Sequence, residues 1–355
     1  MISVPKKAKP ISLMQLIDFK LIMRSKAKPF KNRTLYILFL IISFQSINAQ
    51  YLEGITPVRD TSFTTASAFK KTVKYFPDAR LVPEKRYENV KQKKDLIYCT
   101  YGKRKMRLDV YFDSKKKKKQ IGIILIHGGG WRSGNREQHR QMAEKLASLG
   151  YVCFSPEYRL STEALFPAAV YDIKAAIRWV RENANQYNID PSQIVSLGFS
   201  AGGELAAFMG VTGNMPLFEG IVTNTDAKSQ VNAVVDIDGT LSFVHPESSE
   251  GNDSTKISAG KYWFGYSKSE NPKLWETASP LSYVNAQTPP TLFINSSVAR
   301  MHAGRDDFIK ILNQHNIYSE VHEFENSPHT FCLFNPWFEP TIQYIDTYLT
   351  KIFTK

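Results

Sequence analysis

A serine set between two glycines is the most informative point of the chain. Gly198-Phe199-Ser200-Ala201-Gly202 follows a short apolar stretch, Ile194-Val195-Ser196-Leu197, and precedes one rich in Ala, Leu and Glu, Gly203 to Met209. A buried strand therefore runs into a helix through a tight turn, the setting of a G-x-S-x-G nucleophile elbow. Such a turn lifts the Ser200 hydroxyl above the sheet edge, and the new helix aims its first N–H groups where negative charge would develop. A serine nucleophile also needs a base, a group to orient that base, and donors for an oxyanion. His329, in Ser327-Pro328-His329-Thr330-Phe331, follows the last expected strand and is the candidate base. His127-Gly128-Gly129-Gly130-Trp131 ends another apolar run, and its glycines let backbone approach a substrate closely. The amides of Gly129 and Gly130, with Trp131 as a further donor, and of Ala201, the residue after the nucleophile, are the candidate oxyanion donors. Losing one such donor typically costs about 2.7–4 kcal/mol of barrier. His127 reads as a structural residue holding the loop. The chemistry is acyl transfer through a covalent serine ester, which needs no metal or organic cofactor.

These groups need a frame. Residues 96–101 and 106–112 read as a strand pair around Gly102-Lys103-Arg104, and 121–126 as a strand buried on both faces. Helical spacing over 137–149 is stopped by Gly150. A buried strand over 151–155, an amphipathic helix over 168–185, the elbow strand with its helix, and a strand over 231–237 follow. Strands over 290–294 and 319–324 and helices over 307–316 and 340–352 complete the pattern. Strands alternating with helices of this length predict an α/β fold, a mostly parallel sheet with helices on both faces. Residues 212–230 and 240–288 break the rhythm. The second is expected to be a lid-like insertion capping the sheet edge, with Tyr262, Trp263, Phe264 and Trp275 as surface aromatics. Residues 50–94 are expected to form an N-terminal arm, and 95–355 the catalytic domain.

With 355 residues and ordinary apolar content, the chain suits one large domain after its leader. The formal charge of +13 is concentrated: residues 1–49 hold nine Lys and Arg against one acid, Asp18, which leaves +5 for the rest. Five consecutive lysines, Lys115 to Lys119, read as a solvated hairpin tip between two strands. No nucleic-acid motif accompanies the charge. Lys26, Lys28, Lys31 and Arg33, an apolar run over 35–44 too short to span a bilayer, and Ile47-Asn48-Ala49 read as a signal segment cleaved after Ala49. Initiation at Met23 would make that leader a conventional one. The mature chain is then expected to be exported, to the periplasm or beyond, with no stable membrane insertion. Cys99, Cys153 and Cys332 are too few and too scattered for a disulfide framework or a zinc site.

The motifs in combination resemble a known group. His127 to Trp131, Pro156-Glu157-Tyr158-Arg159-Leu160, Phe166-Pro167-Ala168 with Asp172, and Gly198 to Gly202 are similar to the α/β-hydrolase esterases, in the acetyl-esterase and feruloyl-esterase-like branch related to hormone-sensitive lipase. Residues 293–297, 302–306 and 335–340 resemble secreted bacterial esterases acting on pectin and related plant polysaccharides. The resemblance implies an α/β-hydrolase fold over about residues 95–350 and a secreted esterase removing acetyl groups from an acylated polysaccharide or oligosaccharide such as pectin or xylan. A methyl ester, a feruloyl ester or an arylformamide would use the same machinery. The family usually carries its acid shortly after the strand over 291–295, where this chain has Ala299. The next acids, Asp306 and Asp307, fall inside the following helix. The end of the preceding strand offers Asp236 and Asp238 on one face, with Asp238 nearer the sheet edge. Asp238 is the expected partner of His329, ahead of Asp306 and then Asp236. The absent acid at Ala299 is the sole support for a second class of reading, a carbohydrate-binding protein without a working triad.

Overall fold

A computed structural model of the chain describes residues 56–116, 118–213, 215–220, 226–254 and 256–354. The expected leader and its cleavage point lie outside them. A first helix, α1 (Thr65–Thr72), is capped by Thr64, whose hydroxyl accepts from the Ser67 amide at 3.0 Å. Beyond it, the strand β1 (Arg80–Leu81) pairs with β10 (Phe334–Asn335) far along the chain.

The main sheet has eight strands in the order β2-β3-β5-β4-β6-β7-β8-β9. They are β2 (Val90–Tyr101), β3 (Arg104–Asp113), β4 (Gln120–Ile126), β5 (Val152–Pro156), β6 (Ile189–Phe199), β7 (Ala233–Ile237), β8 (Thr291–Asn295) and β9 (Ser319–Glu323). β3 runs antiparallel to both β2 and β5, and every pairing from β5 to β9 is parallel. The first strand of this sheet in chain order starts at Val90, so the expected boundary at residue 94 falls inside β2.

Side-chain alternation divides the core into two layers. Ile124 and Ile126 of β4 belong to the layer that holds α3 (Ala168–Glu182), α4 (Ala201–Val211) and α7 (Arg305–Gln314). Ile123 and Leu125 face α2 (Arg140–Leu149), α8 (Phe338–Phe353) and Ala68 of α1. These β4 side chains are essentially fully buried, and each contributes about 1.5–3 kcal/mol on leaving water. The unbroken apolar run over 121–126 matches a strand buried on both faces, and the two helical layers are the reason.

Two expectations need correction. Lys115 to Lys119 are not a hairpin tip, because β5 lies between β3 and β4 in the sheet. The described residues of the segment lie by the start of β5, where Phe112 of β3 and Gly122 of β4 both align with Val152. It is tied down there: Lys119 Nζ donates to Asn185 Oδ1 at 3.1 Å, and Asn188 Nδ2 donates to the Lys118 carbonyl at 2.9 Å. The insertion over 240–288, which carries α5 (Ala259–Phe264) and α6 (Pro272–Thr277), buries three of the four rings expected at its surface and leaves Tyr262 half-buried. Trp263, Phe264 and Trp275 are fully buried and pack with Phe243 into the core layer that holds α3 and α4. Apolar burial, rather than sugar stacking, explains why a segment of irregular spacing carries so many large rings.

Candidate active site

Parallel register brings the functional side chains to one edge. Gly198 aligns with Ile126 of β4, and Phe199 with Ile237 of β7. Ile237 aligns with Ile294 of β8, and Asn295 with Glu323 of β9. The residues that follow each strand therefore meet outside the carboxyl ends of the strands, where α/β sheets place their ligands. Those residues are the glycine loop after β4, Ser200 after β6, Asp238 after β7, Ser296 after β8 and His329 in the loop after β9.

The elbow requires its glycines by close approach. A Cβ on Gly198 would lie 2.0 Å from the Gly202 carbonyl oxygen, and one on Gly202 would lie 2.2 Å from that of Ile126. Ser200 sits at φ 58°, ψ −122°, a strained conformation for a residue with a side chain. Its amide donates to the Ile237 carbonyl at 2.8 Å, which ties the turn to β7. His329 Nε2 stands 2.8 Å from Ser200 Oγ, and His329 Nδ1 stands 2.8 Å from Asp238 Oδ2. Asp238 is fully buried, whereas the His329 side chain is 27 % exposed. The serine–histidine pair thus faces solvent across an interior carboxylate.

Asp238 is held by a residue that sequence reading passed over. The Ser296 amide donates to Asp238 Oδ1 at 2.8 Å, and the Ser296 hydroxyl donates to Oδ2 at 2.5 Å. β8 therefore supplies the support of the Asp238 carboxylate rather than a carboxylate of its own. The spacing offered a signal for this: Ser296 directly follows β8 as Asp238 directly follows β7, on the neighbouring strand. Asp306 is exposed and pairs with Arg305, away from His329. Asp236 points beneath the elbow, where its Oδ1 accepts from the Gly239 amide at 2.7 Å. Ala299 opens a short 3-10 turn.

The glycine loop lies over the elbow. A Cβ on Gly128 would come within 3.1 Å of Ser200 Cβ. The Gly128 amide is taken by Gln138 Oε1 at 2.8 Å, so the following amides of Gly129 and Gly130 are the loop's candidates for an oxyanion. Gly129 adopts φ 126°, and a Cβ there would collide with the Ser133 carbonyl at 2.0 Å. Trp131 is anchored by its indole N–H, which donates to Glu204 Oε2 at 2.9 Å, and it stacks on Trp263 at 4.6 Å. Burial raises the Glu204 carboxyl well above its ordinary range, with a smaller contribution from Asp236, and burial does the same to Asp236.

His127 is interior. Its ring stacks on Tyr158 at 4.3 Å, and Tyr158 Oη donates to the His127 carbonyl at 3.0 Å. Arg159 and Asp172 of the same motif group form a bidentate pair beneath Tyr101. Burial pushes the His127 ring down to about 3, helped by Arg59, and burial alone pushes His139 down to about 3. Both are neutral in the folded protein, while an unfolded chain takes up protons near pH 6.5. Stability present above that pH is therefore lost as the pH falls toward 3, by about 1.4 kcal/mol per pH unit for each ring. His139→Leu, which keeps an apolar group against Phe199, is expected to remove about one such slope. Urea midpoints of parent and variant between pH 6 and 4 would show it, and parallel curves would refute it. All three cysteines are free, with Cys153 and Cys332 buried.

Comparison with known proteins places this geometry. Residues 108–307 match the protein-family profile described as BD-FAE. The chain belongs to the BD-FAE family. It is 31% identical over 216 residues to Esterase LipQ of Mycobacterium tuberculosis, covering 59% of this chain and 48% of LipQ. Carboxylesterase NlhH of the same organism is 41% identical over 88 residues, 24% of this chain and 28% of NlhH. The chain spans about half the length of the curated relatives first matched. Among solved structures, a truncated carbohydrate esterase from gut microbiota is 26% identical with a TM-score of 0.62, covering 76% of this chain and all of the other. Esterase 2 of Thermogutta terrifontis, at 24% identity with a TM-score of 0.61 over 76% of this chain and 97% of the other, shares the fold. This BD-FAE member has the α/β-hydrolase fold expected from its motifs, and its relatives include esterases related to hormone-sensitive lipase.

Proposed function

We propose that the chain is an exported serine esterase that removes small acyl groups, chiefly acetyl, from a plant polysaccharide such as pectin or xylan. The hydrogen-bonded line Asp238–His329–Ser200, 2.8 Å at each step, carries this reading. In it His329 Nε2 takes the Ser200 proton as Oγ attacks the ester carbonyl. Asp238 accepts from Nδ1–H, holds the tautomer that leaves Nε2 free to take the proton, and stabilises the imidazolium that forms. The amides of Gly129, Gly130 and Ala201 receive the oxyanion, and Ala201 opens α4, whose dipole favours the negative charge. His329 then protonates the departing sugar oxygen, and water repeats the sequence to release the acid.

A small acyl group is favoured by the packing beside the glycine loop. Trp131, Trp263 and Phe243 fill that side, and a Cβ on Gly130 would meet Ala259 Cβ at 2.9 Å. A carbohydrate substrate is supported by the kinship to the gut carbohydrate esterase and by the partial exposure of His329. Export rests on the composition of residues 1–49. No described helix is long and apolar enough to cross a membrane.

Acetate release from acetylated pectin and acetylated xylan, beside methanol release from methylated pectin and ferulate release from feruloylated xylan, tests the assignment. Acetate as the main product is expected, with p-nitrophenyl acetate cleaved at least tenfold faster than the decanoate, as a filled acyl side implies. Methanol or ferulate as the main product would reassign the substrate. Binding of the polymers without cleavage of any ester would replace the enzyme by a binding protein.

A further inference from the structure

The profile match ends at residue 307 and begins at 108, so neither the N-terminal arm nor the histidine loop lies within it. The two are joined to each other in the fold. At its start the arm grips the glycine loop. The Phe63 amide donates to Ser133 Oγ at 2.9 Å, and Ser133 Oγ donates to Asp60 Oδ1 at 3.3 Å. The Ser133 amide in turn donates to the Gly129 carbonyl at 3.0 Å, so its side chain is fixed by the arm and its backbone closes the oxyanion turn. Thr65 Oγ1 donates to the carbonyl of Gln138, whose side chain holds the Gly128 amide. At the far end of α1, the hydroxyls of Thr72 and Thr330 are 2.7 Å apart, and Thr330 is the residue after His329. Pairing of Arg80 with Asn335 and Leu81 with Phe334 then secures the end of the histidine loop.

We infer that the arm is a positioning clamp for both catalytic loops, with Ser133 setting the oxyanion donors and Thr72 setting the histidine loop. α1 is one rigid element about 12 Å long, and it links the glycine loop to the histidine loop, whose only regular structure near His329 is the short 3-10 turn Phe331–Leu333 leading into β10. Donors and base act only when held close to reaction geometry, and a displacement of about 1 Å can cost 10²-fold. The clamp rests on the esterase reading above and adds two residues that touch neither substrate nor reacting atoms.

The test uses the full chain with Ser133→Ala, Thr72→Val and Thr72→Ser. Turnover of p-nitrophenyl acetate, the rate at which a fluorophosphonate labels Ser200, and the thermal midpoint are read for each. The clamp predicts a fall of about tenfold in kcat and in labelling rate for Ser133→Ala and Thr72→Val, with KM unchanged and Thr72→Ser near parent. A lower midpoint with kcat and labelling unchanged would make both residues merely structural and overturn the inference. So would a Thr72→Ser variant as slow as Thr72→Val. A parent that labels at Ser200 yet cleaves no ester would sink the esterase reading, while the labelling ratios would still decide the clamp. A parent that does neither overturns both.

Discussion

Replacing Ser200 by alanine is expected to lower kcat for an acetyl ester by about 10⁶-fold while leaving the fold intact. Alanine keeps the Cβ that the elbow already tolerates at φ 58°, so the backbone strain is neither relieved nor increased. Only the oxygen that lies 2.8 Å from His329 Nε2 is removed. Without it no acyl-enzyme forms, and any residual rate comes from water activated beside the oxyanion donors. The comparison is made on kcat with purified protein, with fluorophosphonate labelling as a count of active sites. Retained turnover and retained labelling would remove Ser200 from the mechanism.

Asp238→Asn is expected to cost about 10⁴-fold in kcat, for a different reason. The carboxylate takes three hydrogen bonds: the Ser296 amide, the Ser296 hydroxyl and His329 Nδ1. All three partners act as donors, which only a fully accepting group satisfies. Asparagine fits the backbone, because Asp238 sits at φ 53°, a region asparagine tolerates well. With its Oδ1 held by the Ser296 amide, its NH₂ group faces Nδ1 as a donor. The imidazole must then carry its proton on Nε2, aimed at Ser200, and cannot accept one. A loss in kcat far larger than the modest fall in thermal midpoint that an unmatched buried donor brings is the expected signature. Activity within tenfold of the parent would show that Asp238 does not orient His329.

The elbow, the glycine loop and His329 were legible because each is a local pattern tied to a strand end. Asp238 was legible by strand alternation, once the usual position was seen to hold Ala299. Ser296 and Thr72 were not, because their role is to meet residues that only the folded sheet brings near. The buried ring cluster around Trp263 and Trp275 was misread as surface for a related reason. Periodicity signals burial only along regular elements, and these rings stand on six-residue helices joined by irregular turns. The lysine segment was misread because adjacency in sequence suggested a hairpin, while β5, which arrives later in the chain, takes the place between its two strands.

The bond between Thr72 and Thr330 spans 258 positions, and β1 meets β10 across a similar interval. Contacts this remote in sequence form slowly and late, since most of the intervening chain must be ordered before they are rewarded. Full turnover is therefore expected to appear at the end of refolding, behind the recovery of helix and of the buried tryptophans. Turnover regained during refolding is then expected to report the last step of folding rather than how much sheet has formed.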